Sequence, residues 1–332
     1  MQFQQLRYFV AVAETRHFTR AAEQVLVAQP SLSQQIRSLE RELGAELFHR
    51  TRGGSTLTDA GQALLPLARR ILADAESARL AVQETVQLRR GRVRLGAPPS
   101  LCTSLVPDVL RAYRARHPGV ELVVREGGSR DLVRILADGG LDLALIIPPP
   151  AGEAAGLDVT ELLSEDLVLV SADRAGRRPA RIADLRERPL VMFREGYDLR
   201  ETTVAACRAA GFEPRFAVEG GEMDAVLGFV RAGLGPAVLP GMVAARSGLA
   251  VTPFAAPGPG RTIAVAHGRE LPLTHAAAAL RATLLSHLAD ADRAGALPPG
   301  TRLLPARPGP ASHPGPPGDG RSRGVDAGGG LG

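Results

Sequence analysis

Apolar residues recur at helical spacing in three runs over the first 43 positions. Between Gln4 and Glu14, Leu6, Phe9, Val10 and Ala13 share one side of a helix, and between about Thr19 and Val25, Ala21, Ala22 and Val25 do the same. In the third run Leu32, Ile36, Leu39 and Leu43 form one stripe. Thr19 stands where an N-cap hydroxyl would catch a free N–H, Pro30 suits a first turn, and Gly44 follows as a C-terminal stop. Opposite the stripe lie Ser33, Gln34, Arg37 and Arg41, with Gln29 and Ser31 at the N-terminal tip. Two short helices packed through small alanines, the second with a polar and cationic face, suit entry into a major groove. The same spacing also fits an ordinary helical hairpin with a solvated outer face.

After Gly44 the period shortens. Leu47 and Phe48 anchor a strand, Arg50 and Arg52 flank the turn Gly53-Gly54, and Leu57 returns, which predicts a two-stranded wing whose arginines meet phosphates. From Thr58 a long helix is expected to about Arg90, with Asp59 and Gln62 spaced as a capping box and Pro66 bending its second turn. Leu64, Ala68, Ile71, Ala75, Ala78 and Val82 make a heptad seam, and the economical partner for it is a second copy of the chain.

At Gly91 strands and helices begin to alternate. Strands are expected at Val93, Val120 to Arg125, Leu141 to Ile147, Val159 to Ser171, Leu190 to Phe193, Arg215 to Val218, Ala237 to Leu239 and Ile263 to Ala266. Helices are expected over Leu101 to His117, Ser129 to Ala137, Asp198 to Ala210 with an Asp198/Glu201 capping box, Met223 to Ala232 and Ala276 to Leu288. This alternation predicts a parallel sheet covered by helices. Glu161–Ser171 and Pro253–His267 read as two crossings between subdomains. Beyond Ala296, Pro and Gly dominate, and a disordered tail is expected.

The order AAE, Val27, PSLSQQI, LERELG, LFHR and LTDAG resembles the N-terminal domain of LysR-type transcriptional regulators, densely over residues 2 to 62 and loosely to about 290. The resemblance implies an N-terminal all-α winged helix-turn-helix over 1–58, a linker dimerisation helix over 59–90 and a C-terminal α/β two-lobed effector domain over 91–292. That domain would be similar to periplasmic binding proteins, with lobe one at 91–162 and 267–292, lobe two at 163–266, and a disordered tail at 293–332. It also implies a core of Ala22, Val27, Leu32, Ile36, Leu39, Leu43 and Leu47, and DNA contacts at Gln29, Pro30, Ser31, Ser33, Gln34 and Arg37. Thr19, Arg50 and Arg52 complete the DNA-binding candidates. Many relatives carry Arg or Lys where Gln34 stands; an amide there bonds an adenine edge without attracting phosphate. A homotetramer, as a dimer of dimers on an interrupted palindrome in promoter DNA, is implied as well.

A ligand in such a fold is expected beyond the carboxyl ends of the strands, near helix N-termini. The candidates are Pro99, Ser100, Cys102, Ser129, Pro148, Arg194, Tyr197 and Met223, with Ser100 and Arg194 leading and a small anionic effector expected. Ser100 and Ser129 also read as ordinary N-caps, Arg194 as a partner of Glu195, Glu201 or Glu222, and Glu195 next to Arg194 favours an amine or hydroxyl instead.

Composition adds three points. The net charge of +5 is uneven: residues 1–92 carry 13 Arg against 9 acids and residues 293–332 carry 5 against 2, while the middle carries 22 against 24. The basic excess therefore sits at the two ends, and since all 40 basic residues are arginine, both ends suit an anionic partner such as DNA. No apolar run approaches the ~18 residues of a membrane span, so a cytoplasmic protein is expected. Two cysteines, Cys102 and Cys207, give neither a metal signature nor a disulfide framework, although they could form a redox-sensing pair. An enzyme or an oxyanion sensor with a winged-helix accessory is the alternative reading. It lacks support: there is no phosphate loop, no Ser/His/Asp signature and no metal-ligand spacing among seven His, and no cofactor is expected.

Overall fold

The computed structural model describes residues 1–305 apart from 52–53, 87–90, 150–153, 155, 174–175, 177 and 270–272, and only the backbone of 50, 51, 77 and 80–86. The N-terminal unit contains α1 (Phe3–Thr15), α2 (Phe18–Gln24), α3 (Gln29–Leu43), the antiparallel strands β1 (Phe48–Thr51) and β2 (Gly54–Leu57), and the start of α4 (Asp59–Val86). Its core joins Leu6, Phe9 and Val12 to Ala21, Ala22, Leu32, Ile36, Leu39, Leu47 and Phe48. Phe9 and Phe18 both pack on the Phe48 ring, fixing the wing against the helices.

Four local expectations change here. Leu43 belongs to the α3 stripe by phase yet is 43% exposed, because the last residue of α3 passes the end of the core. Thr19 is the second residue of α2 rather than its cap; His17 precedes that helix, and the Thr15 hydroxyl donates to the His17 carbonyl. The cap of α4 is Thr58, whose Oγ1 accepts from Gly61 N at 3.0 Å, in place of an Asp59/Gln62 box. The expected dimer seam is divided: Ala68 is buried in the core of its own winged-helix unit, and Leu64 and Ile71 pack against that core, whereas Ala78 is exposed. Val82's side chain and the helix end at 87–90 lie outside the described residues.

The C-terminal half begins with β3 (Arg92–Ala97), α5 (Pro99–Ser104), α6 (Val106–Arg116), β4 (Glu121–Glu126), α7 (Ser129–Ala137) and β5 (Leu143–Ile146). The single helix expected over 101–117 is two, because Pro107 supplies no N–H at the second position of α6 and so marks a helix start. β6 (Leu157–Ser171) is a 15-residue strand that spans both lobes. Its first two thirds pair with β11 (Gly260–Gly268), and the rest pairs with β9 (Ala237–Pro240) and β10 (Ala250–Pro253). β3 pairs with β4 and β5 in parallel, whereas every pairing of β6 and β11 is antiparallel. The sheet is mixed, because two long strands pass between lobes instead of returning through helices.

Lobe one is covered on both sheet faces. Leu143 and Leu145 face Tyr113, Leu280, Leu284 and Leu288, the latter three from α11 (His275–Arg293), while Ala144 and Ile146 face Leu132 and Leu136 of α7. That two-sided burial explains why β5 is continuously apolar. Lobe two packs the rest of β6, β7 (Leu190–Met192), β8 (Phe216–Glu219) and β9 with α8 (Asp198–Ala209), α9 (Met223–Arg231) and α10 (Gly241–Ser247) around Phe193, Tyr197 and Leu239. β11 lies in lobe one's sheet, so Ile263–Ala266 is corrected from lobe two, and the crossings fall near Asp166–Leu167 and between β10 and β11. The tail assigned to 293–332 is corrected in its first part. α11 runs to Arg293, and β12 (Thr301–Leu303) pairs with Leu163–Glu165 of β6. Residues 306–332 lie outside the described residues.

Candidate DNA-binding face and effector crevice

At 100° per residue, Ser31, Gln34, Arg37 and Arg41 fall within an arc of about 120° on α3. All four are exposed, as are Pro30 and Thr19, and Gln29 is half-buried. Ser33 falls about 60° from Ile36 on the inward side. It is 4% exposed, and its hydroxyl accepts from Gln29 Nε2 at 3.3 Å. The expectation that Ser33 reads a base is therefore corrected: it holds Gln29, which stands at the tip of the helix. Arg37 leans back along α3, with Nε donating to Ser33 O at 3.4 Å. Arg20 of α2, exposed beside Thr19, is a further cation that the sequence reading passed over. The Arg50 side chain and Arg52 lie outside the described residues.

In the second half, the loops after β3, β4 and β5 meet those after β7 and β8. Ser129 opens α7 in lobe one, and its Oγ donates to Asp198 Oδ2 of lobe two at 2.7 Å while accepting from Ile147 N at 3.0 Å. Asp198 is thus a bond between lobes in place of the expected capping box. Pro99 and Ser100 are buried at the start of α5, and Ser100 Oγ accepts from Arg261 Nη1 at 2.9 Å. Tyr197 stacks on Phe193 and turns its hydroxyl towards Ser100 across the crevice. Pro148 is half-buried just beyond β5, and Met223 is buried at the start of α9.

Arg194 was the basis for expecting an anion. Its Nε bonds Glu222 Oε1 at 2.6 Å and Nη1 donates to Glu195 O at 3.1 Å. That guanidinium is already matched by a carboxylate, so it gives no preference for an anion. Sequence reading also passed over Arg261 and Glu165, which form a buried pair with Nη2 and Oε2 2.8 Å apart. Its one visible signal was a lone charge within an otherwise apolar strand, Arg261 before Thr-Ile-Ala-Val-Ala.

Cys102 is half-buried, with Sγ donating to Ala97 O at 3.6 Å, and burial followed by the nearby Glu126 charge pushes its thiol up to about 12. Burial and Glu213 push Cys207 up to about 11. Neither thiol is in the cationic setting that makes a reactive thiolate.

Residues 3–62 match the family model "Bacterial regulatory helix-turn-helix protein, lysR family", and residues 87–289 match "LysR substrate binding domain". The chain belongs to the LysR family. It is a DNA-binding transcriptional regulator with an effector-binding domain, and not an enzyme. Its relatives include the transcriptional dual regulator GltC of Bacillus subtilis, 34% identical over 245 residues that cover 72% of this chain and 81% of GltC. A probable hydrogen peroxide-inducible genes activator of Mycobacterium avium is 35% identical over 78% of this chain and 85% of its own length. Among solved LysR-family structures, full-length CbnR complexed with its target DNA superposes with a TM-score of 0.63 at 25% identity, covering 87% of this chain and 99% of CbnR. No helix among the described residues is long and apolar enough to cross a membrane.

Proposed function

We propose that this LysR-family chain binds an interrupted palindrome in promoter DNA as a dimer of dimers in the cytoplasm. A small molecule between its two lobes changes how it holds that DNA. The exposed row Ser31, Gln34, Arg37 and Arg41, presented beside a two-stranded wing, carries the DNA half of the reading. Gln29, Pro30, Ser31 and Gln34 approach base edges. Thr19, Arg20, Arg37 and the wing arginines Arg50 and Arg52 approach phosphates. CbnR, a member of the same family, was solved with its target DNA, which supports DNA binding by a chain of this fold.

Dimerisation through α4 uses its outer side, where Leu67 is exposed, because Leu64, Ala68 and Ile71 are committed to the chain's own core. The effector site is the crevice of Ser100, Cys102, Ser129, Arg194, Tyr197 and Met223, with Pro99 and Pro148 as walls. Peroxide sensing, suggested by one relative's name, is disfavoured because both thiols are held protonated at neutral pH.

A footprint titration on DNA upstream of the chain's own gene, and on genome-selected fragments, tests the reading. Arg37→Ala is expected to weaken binding and make the slope of log K against log salt shallower by about 1. Uniform salt-sensitive binding to every fragment, with no discrete protected site, would sink the sequence-specific reading.

A further inference from the structure

Asp166 and Leu167 carry β6 from one lobe to the other, and the backbone of both is held by other segments. Leu167 N donates to Pro259 O at 2.9 Å, on the chain that returns from β10 to β11. Asp166 N donates to Gly300 O at 2.9 Å, and Gly300 belongs to the segment that follows α11. From there β12 runs antiparallel to β6, with Thr301 opposite Glu165 and Leu303 opposite Leu163, until Leu304 N donates to Leu162 O at 2.8 Å. The match to the family's substrate-binding domain ends at residue 289, so this segment lies beyond it.

The segment touches both lobes. Its far end belongs to lobe one, where Leu303 packs against the core that Leu143, Leu163 and Leu280 share. Its start meets lobe two. Where β9 leaves β6 at Leu167, α10 begins, and a Cβ on Gly241 would stand 3.3 Å from both Pro299 O and Asp166 O. Between these ends Arg302 Nη2 lies 2.9 Å from Asp166 Oδ1, and a Cβ on Gly300, at φ 78°, would stand 2.9 Å from Asp166 Cβ. Glu165, opposite Thr301, is the carboxylate that binds both Arg261 of β11 and the start of α10.

The open edge of β6 accounts for a covering strand over Leu163–Glu165. It does not account for the bond to Asp166 or for the contact with Gly241, which lie on the lobe-two side of that edge. Two lobes swing about a hinge when a few residues change φ and ψ, and here the residues at the crossing are bonded in place.

We propose that residues 298–304 are a strap across the hinge, which holds the β6 crossing in one arrangement and so sets how far the two lobes separate. A change in that separation requires the bond between Asp166 and Gly300 to break, or the strap to shift along β6. This goes beyond the proposed effector site, because it depends on the lobes and not on what lies between them.

The test uses the chain's three tyrosines, each of which reports on a different part. Tyr8 is buried in the winged-helix unit. Tyr113 is buried in lobe one, where its hydroxyl donates to Ala276 O of α11 at 3.0 Å. Tyr197 of lobe two faces Ser100 of lobe one across the crevice. The full chain is labelled with meta-fluorotyrosine for fluorine NMR, and amide exchange is read in parallel at residues 162–167. Gly300→Val, which forces the strap off Asp166, is expected to speed exchange at Asp166 by about tenfold or more, since exchange follows the local opening equilibrium. It should also shift or split the Tyr197 resonance, with Tyr8 and Tyr113 unchanged. Leu304→Pro, which removes the donor at the other end of the strap, should act in the same direction and less strongly. Faster exchange at 162–167 with an unmoved Tyr197 overturns the proposal and leaves β12 as the cover of a sheet edge. Unchanged exchange at Asp166 in both variants overturns it as well. If Gly300→Val also moves Tyr113, lobe one itself has loosened, and Leu304→Pro decides: Tyr197 moving while Tyr113 stays supports the strap, and both moving or neither moving overturns it.

Discussion

Leu26 shows where residue type and residue position disagree. It occupies the corner between α2 and α3 at φ 57° and is 91% exposed. Its N–H reaches Glu23 O at 3.2 Å, and Val27 N reaches Ala22 O at 3.0 Å, so the backbone of this corner is already tied down. Left-handed backbone costs an L-residue roughly 1–2 kcal/mol, and Asn tolerates it better than Leu. With the side chain in solvent, little packing opposes that cost. Leu26→Asn is therefore expected to stabilise the winged-helix unit by about 0.5–1 kcal/mol, seen as a higher first transition in calorimetry of the full chain. A lower transition would mean that Leu26 is covered in solution, by a second copy for instance. In the sequence, Val25-Leu26-Val27-Ala28 looks uniformly apolar, and nothing local marks which of its residues takes the left-handed position. Ser33 fails in the opposite way: its polarity places it on the outer face, while its helical phase beside Ile36 turns it inward.

At the scale of elements, the sequence was legible wherever an element is fixed by its own periodicity. α1 to α3, α7, α9 and β5 lie within a residue or two of where their apolar spacing puts them, since each buries a face that its own residues define. Misreadings occur where a distant segment decides. Glu165 of β6 and Arg261 of β11 are 96 residues apart, yet their side chains are 0% and 4% exposed and they share one ion pair. Glu165 Oε1 also accepts from Met242 N at 2.7 Å, so a single carboxylate ties both crossing strands to the start of α10. Removing one member of a buried pair strands the other charge, at a cost of about 3–5 kcal/mol, whereas removing both charges together is far milder. Arg261→Met should therefore lower the denaturation midpoint sharply. Adding Glu165→Gln, which keeps an acceptor for Met242, should recover most of the loss. A cost for Arg261→Met near the ~1 kcal/mol of an exposed pair would show that the pair is hydrated in solution.

Across the whole molecule, α7 touches both functional regions. Its first residue, Ser129, holds Asp198 of lobe two at the crevice, and the turn after its last residue rests on the linker helix. There Asp138 Oδ2 lies 3.7 Å from Arg69 Nη1 of α4, and a Cβ placed on Gly139 would stand 2.7 Å from Ala73 Cβ. Nine residues of helix, about 13 Å, thus separate the lobe contact from the linker contact. None of this was legible in the sequence, because a Gly-Gly turn announces only the end of a helix and not what approaches it. Gly139 has two reasons to be glycine, its φ of 71° and the closeness of Ala73. Gly139→Val should force the turn off α4 and raise amide hydrogen exchange in residues 69–73, with amides 129–132 at the other end of α7 keeping their wild-type rates. Gly268→Ala, where nothing stands within 4 Å, is the matched control and should alter neither. If Gly139→Val leaves exchange in α4 at the wild-type rate, the two regions meet in solution by some other contact, and lobe closure must reach the DNA-binding unit through β3 and the chain that leads into it.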